Sequence, residues 1–157
     1  MHGESNWKPL PSVVLENSVF LVESEREVVE LFCPKEDVAV LCVLGHFSAS
    51  SAQAVLVVLD EFREGRSLHL FFEWTSMISY DAMARKLFTE WVLSDTSRVH
   101  QSWFCSESRL VQMGISVGKM AVSMVGVHVE HVSVPTWNDR LVRALGSLGH
   151  ARVAGRR

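Results

Sequence analysis

The chain has 157 residues, of which 48% are hydrophobic and 21% are charged, and its formal net charge is −3. This balance excludes a disordered chain and is typical of one globular domain. No apolar run approaches the ~20 residues of a membrane-spanning helix, and the N-terminus lacks a secretory signal pattern, so we expect no membrane association. The three cysteines form no CxxC pair, which favours a reducing compartment and predicts a cytoplasmic protein.

The charges are unevenly distributed along the chain. Residues 1–79 carry five basic and twelve acidic side chains, whereas residues 80–157 carry ten basic and six acidic ones. No basic stripe alternates with aromatic residues, so we expect no nucleic-acid binding. The asymmetry fits a solvated surface, a dipolar surface that steers a charged partner, or a homodimer whose halves pair across a two-fold axis.

After a tail at residues 1–11, the first half of the chain is predicted to contain four strands, one helix and a further strand. Strands are predicted at residues 12–15, 19–22, 27–32, 38–44 and 68–74. The run at 27–32 would also fit one face of a helix, whereas 38–44 is apolar enough for a central strand buried on both faces. Ser48 is predicted to cap a helix that extends to residue 62, and Gly65 ends that segment.

The second half repeats the alternation of helix and strand. The predicted elements are a helix over 80–91, a strand over 99–105, short helices over 106–113 and 116–123, a β-rich run over 125–134, and a helix after Thr136. Gly114 is predicted to break the first short helix, and Thr136 with Asp139 resembles a capping box. The pattern predicts a single α/β domain over residues 12–149, with a mixed sheet of about five to six strands and four to five helices, followed by a basic tail at 150–157.

Histidine and serine residues offer two weak candidates for chemistry. His128 and His131 have an HxxH spacing, but on a strand residues three apart point to opposite faces, so we expect no metal site. His46 lies close to Ser48 in sequence, yet Ser48 is better used as a helix cap than as a nucleophile.

Cys105 is a third candidate, because it follows a strand and precedes a helix, where a thiol can be activated. A buried, inert cysteine is the competing interpretation. The sequence also lacks the glycine-rich loops that bind phosphates. We therefore expect no cofactor and no enzymatic activity.

The most suggestive segment is the predicted loop after the strand at 68–74. It combines hydroxyl groups and an acidic residue next to a helix N-terminus, whose free N–H groups can bind a partner. A purely structural interpretation makes Ser79 the N-cap, with Asp81 in the first turn. With the adjoining helix face, the predicted partner-binding residues are Thr75, Ser76, Ser79, Tyr80, Asp81, Arg85 and Lys86.

At this segment the chain resembles the STAS domain, the fold of bacterial anti-sigma-factor antagonists. The family's stretch D-L-S-x-[VL]-x-x-[IV]-D-S-[ST]-G places its first Asp on Glu73 and its second on Asp81. Its Leu falls on Trp74 and its Ser on Thr75. The resemblance extends over about residues 38–148, mostly as an order of elements.

The chain departs from the family at the position of the phosphorylated serine. That position falls on Ala82, its hydroxyl neighbour on Met83 and its glycine on Ala84. The resemblance therefore implies a divergent STAS-like domain without the serine phosphoswitch, unless Ser76 or Ser79 substitutes in a shifted register.

Two functions remain open at this point. The resemblance implies a non-enzymatic regulatory module of bacterial signalling that binds an unidentified protein partner. Some STAS-like relatives have instead been proposed to hold small apolar ligands, and the surplus of Trp, Phe and Met residues fits a carrier or sensor of such a ligand.

Overall fold

The computed structural model describes residues 15–146, and this range forms one mixed sheet with helices on both faces. Its strands are β1 (Ser18–Glu23), β2 (Glu27–Lys35), β3 (Val38–Phe47), β4 (Leu68–Tyr80), β5 (Val99–Ser106) and β6 (His128–His131). The order of the strands in the sheet follows the chain. The first three strands pair antiparallel, and β3 to β6 pair parallel.

Four helices in the described range cover this sheet. They are α1 (Ala49–Arg63), α2 (Ala82–Ser94), α3 (Arg109–Ser123) and α4 (Val134–Leu145), with a short 3₁₀ turn at Thr96–Arg98. Helices α1, α2 and α3 share a buried apolar cluster with one face of the sheet, and α4 shares a second cluster with the other face. The predicted α/β class and mixed sheet are confirmed.

Strand β3 is central to the core, as its apolar sequence predicts. Residues 38–43 are all buried, because β2 and β4 flank the strand and helices cover both faces. The helix predicted after it is also confirmed. Ser48 is the N-cap of α1, its Oγ accepts from the N–H of Ser51, and Ala52, Val55 and Leu59 are buried.

The loop predicted at residues 75–81 is wrong, because β4 continues to Tyr80. The pairing with β3 shifts register twice, and each shift inserts one extra residue into β4. A β-bulge of this kind bends the strand and re-aims its side chains. Helix α2 then begins at Ala82 with Asp81 as its N-cap, so the N-cap predicted at Ser79 is also wrong.

The predicted break at Gly114 is wrong as well, since α3 is one continuous helix. A Cβ atom at Gly114 would lie 2.4 Å from the hydroxyl oxygen of Tyr80, so the glycine makes room for that ring. The cap predicted at Thr136 is wrong too. The N-cap of α4 is Ser133, whose Oγ accepts from the N–H of Thr136.

Some predictions concern residues outside the described range, namely the strand segment at 12–14 and both tails. Among residues 15–146, no helix is long and apolar enough to cross a membrane.

Candidate functional site

His46 lies at the carboxyl end of β3 and hydrogen-bonds to residues at the carboxyl end of β4. Parallel sheets commonly place functional groups at this edge. The second register shift in β4 sets Ser79 beside His46. The Oγ of Ser79 lies 2.7 Å from Nδ1 of His46, and Oδ1 of Asp81 lies 2.9 Å from Nε2. The other carboxylate oxygen of Asp81 accepts from the N–H of Ala49 at 2.9 Å. These contacts tie the end of β4 to β3 and to the start of α1.

The hydrogen bonds of this cluster assign the protons of a neutral His46. An ionised Asp81 can only accept, so Nε2 carries the proton and Nδ1 accepts from the hydroxyl of Ser79. The bond from the Ala49 N–H, followed by that from His46, lowers the pKa of Asp81. The side chain of Asp81 is 46% exposed, however, so solvent screens its interaction with His46.

Ser48 and Ser51, next to His46 in sequence, are bound to a different residue. The Oε1 atom of Glu27 accepts from the hydroxyls of Ser48 and Ser51, each at 2.9 Å. Its Oε2 atom accepts from the N–H of Ser48 at 3.0 Å. These bonds fix the start of α1 on β2, so the structure gives Ser48 the capping role preferred in the sequence.

The predicted partner-binding residues do not share one environment. Thr75 is half-buried and donates both its N–H and its hydroxyl to Glu73, whereas Ser76 is exposed. Ser79 and Asp81 belong to the His46 cluster described above. Tyr80 faces the other way, into the layer between the sheet and the helices.

Arg85 and Lys86 lie on α2, beyond this cluster. Lys86 is exposed and approaches Glu90 at 3.9 Å. Arg85 is half-buried and lines a cavity together with Tyr80. The seven residues therefore do not form one continuous loop surface.

The cavity lies between the sheet and helices α2 and α3. Its volume is about 90 Å³, and one side of it is open to solvent. Besides Tyr80, the aromatic side chains in its wall are Phe47, Phe72, Trp74, Phe88 and Phe104. Aliphatic residues complete it, mainly Leu70, Val92, Val111, Ile115 and Val122. Ligand sites of proteins are typically concave and largely apolar in this way.

A few polar groups interrupt the apolar wall. Trp74 is 9% exposed, and its Nε1 has no hydrogen-bond partner within residues 15–146. Arg85 and Lys119 contribute the cationic side chains, and Gly118 leaves space on α3. Sequence reasoning missed this site, although glycines four residues apart on α3 and the surplus of aromatic residues were signals for it.

Helix α3 also presents an exposed apolar stripe, defined here as Leu110, Met113, Val117, Met120 and Met124. The intervals alternate between three and four residues, which keeps the side chains on one face. Met113 is 67% exposed and Met120 71% exposed. Contiguous exposed apolar side chains are typical of interaction surfaces.

The remaining candidates for chemistry show other arrangements. His128 lies 2.7 Å from the carboxylate of Glu130, and residues 15–146 contain no group of three or more His, Cys, Asp or Glu that could hold a metal ion. Cys105 is fully buried, and desolvation, reinforced by the nearby Glu73, raises the pKa of its thiol well above the usual range. The thiolate that a nucleophilic role requires is therefore disfavoured.

Comparison with known proteins shows the fold of the chain. No family model and no curated protein matches the sequence. The structure is similar to the crystal structure of an uncharacterized protein from the DUF3478 family with a SpoIIAA-like fold, from Shewanella loihica PV-4. The match has a TM-score of 0.55 at 9% identity and covers 76% of this chain and 97% of that one. The chain thus has a SpoIIAA-like fold, which is the STAS-like fold expected from the sequence.

Proposed function

We propose that this chain is a non-enzymatic binding module that holds a small, mainly apolar molecule between the sheet and helices α2 and α3. The observation that carries the proposal is the apolar cavity at the centre of the larger helix layer. An apolar concavity that is open to solvent on one side can admit a small molecule between the sheet and the two helices.

The composition of the cavity wall supports this function. The wall is almost entirely apolar and is open to solvent on one side. Covering apolar surface with an apolar molecule stabilises by about 25 cal/mol for each Å² removed from water. The wall therefore favours binding of an apolar molecule over a polar one.

Native mass spectrometry of gently purified protein tests this proposal. We expect a bound small molecule on the wild type and none on Gly118→Leu, whose side chain would project from the cavity wall. Leucine also has the higher helix propensity, so the variant should stay folded. Lys86→Gln, outside the cavity wall, is the matched control. Unliganded wild-type protein that also fails to take up added decanol would contradict the proposal.

A second candidate function is a regulatory protein–protein interaction module of the kind that STAS domains provide in bacterial signalling. The exposed apolar stripe of α3 favours it, together with Met83 and Lys86 on the neighbouring α2. On this hypothesis the protein acts in the cytoplasm and requires no cofactor. The segment 75–81 then serves mainly to position α2, because Ser79 and Asp81 are engaged with His46.

Affinity capture from native lysate separates the two functions. Met113→Glu and Met120→Glu should each abolish capture of a stoichiometric protein partner without changing ligand binding. Ser116→Glu, elsewhere on the exposed surface of α3, is the matched control. Equal capture by all three variants would refute the placement on α3.

A further inference from the structure

Two cationic side chains in the cavity wall have no protein partner. Arg85 on α2 and Lys119 on α3 both line the cavity, and neither forms a hydrogen bond or ion pair through its charged group with any residue between 15 and 146. In contrast, Arg63 and Arg98 both contact the carboxylate of Asp60. The contrast separates Arg85 from arginines whose role is structural.

The two cations lie on opposite helices of the cavity and differ in burial. Arg85 is half-buried, whereas Lys119 is exposed, and both residues line the cavity. The positive charge of Lys119 also attracts the carboxylate of Glu130, but that carboxylate is hydrogen-bonded to His128. The positive charge near the cavity is therefore available to a ligand.

An apolar cavity flanked by unpaired cations is complementary to one class of molecule. Resting on the proposed function, we propose that the ligand is a single-chain amphiphile with an anionic oxygen head group. Its apolar body occupies the cavity, and its carboxylate or phosphate binds Arg85 and Lys119. The guanidinium of Arg85 supplies directional, charge-assisted hydrogen bonds, and Lys119 adds a weaker, solvent-screened attraction.

Isothermal titration calorimetry with three probes of equal chain length tests this inference. The probes are decanoate, decyl phosphate and the neutral decanol. We expect one or both anions to bind the wild type at least about tenfold more tightly than decanol. The order of the two anions identifies the head group.

Variants then assign the anion site. Arg85→Gln should lower the affinity for the anions about tenfold and leave the affinity for decanol unchanged. Lys119→Gln should lower the affinity for the anions about two- to threefold. Lys86→Gln removes a charge from α2 outside the cavity wall, so it should leave the affinities for all three probes unchanged. Melting curves of each variant confirm that it is folded.

The outcomes distinguish this inference from the function on which it rests. Decanol that binds as tightly as the anions, or anion affinities that neither Arg85→Gln nor Lys119→Gln lowers, would overturn the anion site while leaving an apolar ligand in place. If none of the three probes binds, the proposed function and this inference both fail.

Discussion

Two glycines of α3 give opposite predictions for the same substitution. Alanine in place of glycine in a helix interior stabilises by about 1 kcal/mol when the methyl group has room. A Cβ at Gly118 would meet only the hydroxyl of Thr89, at an ordinary 3.6 Å. Gly118→Ala should therefore raise the free energy of unfolding by about 1 kcal/mol and the melting temperature by about 2–4 °C.

Gly114→Ala should act in the opposite direction. Its Cβ would lie 2.4 Å from the hydroxyl oxygen of Tyr80 and 2.7 Å from the adjoining ring carbon, so the ring must move. Overpacking of this kind costs about 1–3 kcal/mol, which exceeds the gain in helix propensity. We expect urea denaturation to show a free energy of unfolding about 1 kcal/mol lower than that of the wild type. The decrease should be smaller when the substitution is made in the Tyr80→Phe variant. Stabilisation by both substitutions would refute the packing of Tyr80 on α3.

Three further predictions concern acid stability and reactivity. The pKa of Asp81 is lowered in the fold, so its contribution to stability is complete above its unfolded pKa and is lost as the pH falls through the folded value. The melting temperature should thus fall more steeply below pH 4 in the wild type than in Asp81→Asn. Cys42 and Cys105 are buried, and desolvation raises the pKa of both thiols well above the usual range, so a thiol reagent at pH 8 should modify these two residues only after unfolding; rapid native labelling of Cys105 would contradict this. A fluorophosphonate should not label Ser79, and labelling that disappears in His46→Ala would overturn the non-enzymatic proposal.

The fold was largely predictable because its main elements have strong local signals. The apolar run of β3 and the capped, amphipathic α1 match their sequence patterns directly. The errors arose where tertiary contacts override local preference. The segment after Trp74 looks like a loop but pairs with β3 as far as Tyr80, and Gly114 looks like a helix stop but provides space for Tyr80.

The candidate site was less predictable because it depends on register and packing between distant segments. Sequence proximity suggested pairing His46 with Ser48, whereas the alignment of β3 and β4 sets His46 against Ser79 and Asp81. The cavity depends on how closely α2 and α3 approach the sheet. No short pattern in the sequence encodes that distance.

A methyl NMR titration with decanol tests the binding module most directly. The account predicts shifts for Val111 and Val122, which line the cavity, and none for Leu141 and Leu145, which lie on α4 and pack on the opposite face of the sheet. Shifts confined to the α4 side, or no saturable shifts, would contradict the claim that this chain binds an apolar molecule beneath α2 and α3.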